Sequence, residues 1–230
     1  MSNASHTRHP LLPRTVTAGL LALVGLAPGC GGKPLLGPSP PLQSLAPPVV
    51  TALSESLGST GGGAEVKIEG TGFLDLEGGP VVIFGGVRAS RVSFMGTTTI
   101  FATVPAHAAG RVDLVVSNPD GQSGRLANAY TYASPDSFDS NGEWEGTSQT
   151  DGFRLRFRFF IQNSKVTAVS CDTSGTVSLS PAPSVSNGEF AFSGDDGVAI
   201  TGRLVSPRDA IGTINLAPCP NSDWSARKQQ

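Results

Sequence analysis

The chain has 230 residues, 16 basic and 18 acidic side chains and a formal charge of −2. Near-balanced charge gives no footprint for nucleic acid or for an acidic membrane surface. The 29 glycines and 18 prolines, with 11 Phe but no long stretch of apolar residues at helical spacing, exclude a helical protein and indicate short strands joined by many turns.

Residues 1–14 carry Arg8 and Arg14 and no acid, and an apolar run, "TVTAGLLALVGLA", fills 15–27. About 13 apolar residues are too few to span a bilayer, which needs roughly 20 in a helix. A basic start, a short apolar core and small residues ahead of a cut site describe a secretory signal, here residues 1–29. The following Leu26-Ala27-Pro28-Gly29-Cys30 resembles the bacterial lipobox, in which the Cys is acylated and becomes the mature N-terminus. Ala27 and Pro28 depart from the usual residues there, and an ordinary signal peptide cut near Ala27 is the alternative. The resemblance implies lipidation at Cys30, anchoring in the cell envelope, and a mature chain of 14 basic and 18 acidic residues with net charge −4. In lipoprotein sorting an Asp after the acylated Cys retains a protein at the inner membrane; Gly31 in that place points to the outer membrane.

Residues 30–46 read as a tether: "GGKPLLGPSPPLQSLA" holds four prolines and three glycines, an extended and semi-rigid composition.

Residues 47–133 read as one unit of about seven short strands. "EVKIEG" alternates, with Val66 and Ile68 on one face and Glu65, Lys67 and Glu69 on the other. "PVVIFGG" is a short apolar strand, and in "RVDLVVSNPDGQSG" Val112, Leu114 and Val116 face one way before 118–121 turns the chain. An antiparallel β-sandwich is expected. The unit resembles the IPT/TIG domain, an immunoglobulin-like fold. The resemblance is carried by Pro47–Val49, the Gly-rich loop before a strand, "GTGF" (70–73), "FGG" (84–86), "VP" (104–105), "VVSNPDG" (115–121) and the terminal Tyr of "ANAYTY". It implies a binding or spacer role and supplies no catalytic residues. "GSTGGG" lacks the Lys-Ser/Thr ending of a phosphate-binding loop and precedes a strand, so its glycines read as turn formers.

Residues 137–227 read as a second antiparallel β domain, a barrel or a sandwich. If Asp151-Gly152 form a two-residue turn, Thr150 opposes Phe153, Gln149 opposes Arg154, Thr147 opposes Arg156, Glu145 opposes Arg158 and Trp144 opposes Phe159. Polar residues then meet polar and apolar meet apolar. Further strands are expected at 165–170, 189–193, 198–205, 210–216 and 223–227. The order Gly-x-Trp-x-Gly, Cys, Asn-Gly-x-Phe-x-Phe, Ile-x-Gly, Gly-Thr, Cys, Trp-x-Ala resembles a small all-β module at the C-termini of bacterial secreted proteins. With Cys30 assigned to lipid, Cys171 and Cys219 are an even pair in a secreted chain, which favours a disulfide. With no His in this unit, they do not make a zinc site.

No catalytic constellation is visible. His107 in "VPAHAAG" is the one His after residue 9, and no Gly-x-Ser-x-Gly elbow accompanies it. Asp195-Asp196 in "SGDDGVA" and the acids of "DSFDSNGE" suit turns better than a calcium loop. The sharpest candidate for ligand binding is Arg154, Arg156 and Arg158, alternating along one strand at about 6.6 Å. Their guanidiniums suit sulfate, phosphate or carboxylate groups of a polysaccharide; the competing reading is a solvated face relieved by Glu143 and Glu145 across the hairpin. Trp144 and Trp224 read as core rather than as sugar-stacking platforms. The expectation is a non-enzymatic, lipid-anchored envelope protein without cofactor or metal. Its partner is a protein, with a polysaccharide as the alternative, and not nucleic acid.

Overall fold

The computed structural model describes residues 46–150, 153–172 and 175–230. The signal segment, Cys30, most of the tether and the turn residues Asp151-Gly152 lie outside the described residues. The protein is all-β, with 17 strands and a single 3-10 turn, Pro135–Ser137, among the described residues.

The first nine strands build a two-sheet sandwich. They are β1 (Val49–Leu53), β2 (Leu57–Ser59), β3 (Glu65–Thr71), β4 (Val81–Phe84), β5 (Val87–Arg88), β6 (Val92–Phe94), β7 (Thr99–Thr103), β8 (Gly110–Ser117) and β9 (Ser123–Ala133). One sheet runs β1-β3-β7-β6 and the other β2-β9-β8-β4-β5. The period-two pattern decides which side chains meet between them. Val66, Ile68 and Ile100 of the first sheet and Val82, Phe84, Leu114 and Val116 of the second are fully buried, while Glu65 and Glu69 face outward. Val112 is only half-buried, because the β8–β9 register shifts between Val112 and Leu114 and interrupts the alternation. One pairing departs from the antiparallel expectation: β2 runs parallel to β9. The turn at 118–121 closes with Gly121 N–H donating to Asn118 O at 3.0 Å. The Asn118 side chain is itself buried, accepting from Leu74 N–H at 3.2 Å and donating to Gly72 O at 2.7 Å. It thereby pins "GTGF" to the far end of the sandwich, a role its place in a turn does not reveal.

The remaining strands form one eight-stranded antiparallel sheet. They are β10 (Gly142–Thr150), β11 (Phe153–Gln162), β12 (Lys165–Cys171), β13 (Val177–Ser178), β14 (Glu189–Ser193), β15 (Ala199–Leu204), β16 (Asp209–Leu216) and β17 (Cys219–Lys228), in the order β13-β12-β11-β10-β17-β16-β15-β14. The β10–β11 register is the expected one from Trp144↔Phe159 to Thr150↔Phe153. The sheet curls into a barrel. Its two ends are linked by 183–186, where Val166 N–H donates to Pro183 O at 2.9 Å and Glu189 N–H to Ser186 O at 2.9 Å. Rings from distant strands meet inside: Phe190 of β14 lies 5.5 Å from Phe159 of β11, and Trp224 of β17 lies 4.9 Å from Phe157. Curling this tightly needs corners without side chains. A Cβ on Gly146 would collide with the Ser225 carbonyl oxygen, and one on Gly212 with that of Thr201.

Cys171 and Cys219 are joined by a disulfide with Cα atoms 6.1 Å apart, both fully buried in the barrel core. Trp144 is likewise buried, its indole N–H donating to Ser140 O at 2.9 Å, and Trp224 is 3% exposed. Neither offers a face to a sugar.

Candidate functional site

Two apolar cores are distinct, one per β unit, yet Val205 and Ile211 of the barrel pack against the sandwich core rather than their own. The barrel segment 203–211 therefore docks on segment 55–63 of the sandwich, which holds β2. Ser59 N–H donates to Val205 O at 2.9 Å. Arg203 Nη1 donates to Gly61 O at 2.9 Å and Gly62 O at 3.2 Å. At the rim Arg227 bridges both halves, Nη2 lying 3.2 Å from Glu55 Oε1 and Nε 3.0 Å from Asp209 Oδ1. Ser206 Oγ donates to Asp209 Oδ2 at 2.8 Å. Burial of the Glu55 carboxyl, together with the Asp209 carboxylate beside it, raises its pKa above the ordinary Glu value. The Asp209 contact raises the pKa of the Arg227 guanidinium.

Beside this junction the two walls diverge into a cleft of about 880 Å³. One wall carries Glu65 of β3, Thr103 of β7 and Arg91 before β6, in one row: Glu65 pairs with Thr103, and Thr103 N–H donates to Arg91 O at 2.9 Å. The other carries Glu145 of β10, Arg227 of β17 and Asp209 of β16, also successive partners across the sheet. Carboxylate and cation thus alternate along the second wall, while on the first a threonine hydroxyl lies between them. No local sequence pattern marks this cleft, because its walls come from segments about 40 residues apart or more.

The arginine stripe is where the alternation places it, on the outer face of β11. Its ion pairs form on diagonals rather than directly across: Arg156 Nε to Glu145 Oε1 at 3.2 Å, and Arg158 Nη1 to Glu143 Oε1 at 3.5 Å. Arg154 opposes Gln149 and makes no ion pair among the described residues. Two of the three guanidiniums are therefore already engaged by carboxylates. The loop acids are engaged as well. Asp139 accepts from Lys228 Nζ at 3.0 Å and from Asn141 N–H at 3.1 Å, contacts that hold its carboxyl below the ordinary Asp range. Asp196 Oδ1 accepts from Val198 N–H at 3.1 Å within its own turn. No group of three or more His, Cys, Asp or Glu side chains is gathered as metal ligands among the described residues. His107 stacks on Tyr132 with ring centroids 4.9 Å apart, its Nδ1 2.8 Å from Ala108 O.

The sandwich, with its pinned "GTGF" loop and Tyr-rich last strand, has a match among known families. Residues 48–132 match the IPT/TIG domain. The chain therefore carries an immunoglobulin-like IPT/TIG domain followed by an antiparallel barrel. No curated protein matches the chain. Among solved structures it is similar to an auxiliary nutrient binding protein from Bacteroides thetaiotaomicron, at 14% identity and a TM-score of 0.32. The match covers 69% of this chain and 43% of that one, so this chain spans less than half the length of that protein. Among the described residues no helix is long and apolar enough to cross a membrane.

Proposed function

We propose that this protein is a non-catalytic, lipid-anchored binding protein of the cell envelope, acting through contact between its β domains and a protein partner. The observation that carries the reading is the docking of Val205 into the IPT/TIG core. It makes the two β units one body whose outer faces are held in fixed relation. Binding surfaces held on a rigid scaffold lose less entropy when a partner arrives. The anchor is supported by the order of sequence features: a short apolar run, Gly29-Cys30, then a Pro-rich tether that holds the body away from the lipid. Gly31 supports the outer membrane as its address.

The test has two arms. The full chain, expressed in a bacterium that processes lipoproteins and fed an alkyne fatty acid, is expected to take up label and to sediment with membranes. Cys30→Ala is expected to do neither, and an unlabelled wild type sinks the anchor. In the second arm, a photo-crosslinking residue on the exposed IPT/TIG surface at Val87 or Met95 is expected to give a discrete adduct in intact cells. Adducts absent from both positions count against a protein partner.

A further inference from the structure

We propose that the cleft between the IPT/TIG domain and the barrel is a binding site for a neutral oligosaccharide. The inference rests on the binding role proposed above and names a ligand class and a place for it. Small-ligand sites favour domain interfaces and volumes of roughly 300–1,000 Å³; this cleft, at about 880 Å³, lies beside the junction held by Arg203 and Val205. Its width is therefore set before any ligand arrives.

The lining chemistry selects the ligand. Glu65, Thr103 and Arg91 form one row, and Glu145, Arg227 and Asp209 the other. Neighbouring strands place successive groups about 4.8 Å apart. A carboxylate only accepts hydrogen bonds, a guanidinium only donates them, and a hydroxyl does both. A ligand with hydroxyls on adjacent carbons can bridge such alternating groups, donating to one and accepting from the next. The three carboxylates and two guanidiniums nearly cancel, so the site holds no Coulombic preference for a strongly charged ligand. Val205 and Ile211 are the only large aliphatic side chains on the walls and no aromatic ring lines them, so an apolar guest finds little surface.

Preorganisation differs between the walls. Glu145 is held by Arg156, and Arg227 by Asp209 and Glu55. Glu65 and Arg91 are exposed and make no ion pair among the described residues. They are the two charged groups free to reach a ligand without breaking an existing contact.

The full chain, purified in detergent, is titrated calorimetrically with maltotriose, cellotriose, xylotriose and chitotriose. A hyaluronan tetrasaccharide and trialanine serve as the acidic and peptide comparisons. At least one neutral trisaccharide is expected to bind with Kd below about 1 mM. Glu65→Gln and Arg91→Ala are each expected to weaken it about tenfold or more, the cost of truncating a charged hydrogen-bonding partner. Lys165→Ala, exposed on β12 and outside the cleft, is expected to leave it unchanged. Glu65 and Arg91 are exposed, so unaltered circular dichroism should accompany the loss. The site is overturned if no neutral trisaccharide binds, if binding ignores both cleft substitutions, or if hyaluronan or trialanine binds in preference. A protein that fails here yet gives the discrete cellular adduct keeps its binding role and loses this ligand.

Discussion

The backbone N–H of Ser59 donates to the carbonyl oxygen of Val205 at 2.9 Å, joining the IPT/TIG domain to the barrel by a main-chain hydrogen bond. Gly58 stands beside it because a Cβ there would collide with the Tyr130 hydroxyl. The contact is narrow in sequence, made by 55–63 and 203–211 together with Arg227, but it includes apolar burial, a charged donor and an ion-paired rim.

Arg203→Ala removes the guanidinium that caps the carbonyls of Gly61 and Gly62. Because Arg203 is half-buried, the expected cost is about 1–2 kcal/mol, at the lower part of the range for charged hydrogen bonds. Urea unfolding should show it, with faster hydrogen exchange at Ser59 and Gly63. Arg154→Ala, exposed and without an ion pair among the described residues, should stay within about 0.5 kcal/mol of wild type.

The raised pKa of Glu55 makes stability depend on pH with a defined sign. In the folded protein this carboxyl holds its proton to higher pH than in the unfolded chain. Its contribution is therefore fully present below the ordinary Glu value and is lost as pH rises through the raised one. Glu55→Gln cannot titrate. Wild type should lose stability relative to Glu55→Gln between about pH 4 and the raised value, followed by urea midpoints at half-unit steps. A difference that is flat across this window, or grows in favour of wild type, contradicts the assignment.

The Cys171–Cys219 bridge closes a loop with a sequence separation of 48. Constraint of the unfolded chain by a loop of that length corresponds to about 4 kcal/mol in the chain-entropy treatment. Cys171→Ala with Cys219→Ala should lower the unfolding free energy by about 2–4 kcal/mol, and reductant should then cease to affect the melting temperature.

Ser148 of β10 lies directly across from Trp224 of β17, and neither the Ser148 hydroxyl nor the Trp224 indole N–H has a hydrogen-bond partner among the described residues. Ser148 is fully buried. Removing an unsatisfied buried hydroxyl relieves a desolvation cost. Ser148→Ala should be neutral or stabilising by up to about 1 kcal/mol, against the usual direction of core substitutions. A loss above about 1 kcal/mol would show that the hydroxyl is satisfied in solution.

The strands and their registers were legible because the side-chain period of a strand is written locally. Val66 and Ile68 alternate with Glu65 and Glu69, and a two-residue turn at 151–152 makes polar residues of β10 meet polar residues of β11 and apolar meet apolar, the register observed. The curl of the barrel was only half legible. "GEWEG" and the Gly202-to-Gly212 stretch mark places without side chains, but not that Gly146 and Gly212 sit where neighbouring strands crowd the missing Cβ. The alternation also placed the arginine stripe on one face. Which carboxylate each arginine reaches, on the diagonal instead of directly across, depended on side-chain length and sheet twist.

By itself, then, the sequence determined an all-β chain, the IPT/TIG pattern and the hairpin register, since each rests on residues close together or on a periodic pattern; the anchor proposed at Cys30 rests on sequence features of the same local kind. Tertiary structure alone decided that Val205 belongs to the other unit's core and that Glu65 and Arg91 face Glu145 and Arg227 across a cleft. Those residues are separated by most of a domain, and their meeting depends on how two sheets twist and pack, which no local pattern encodes.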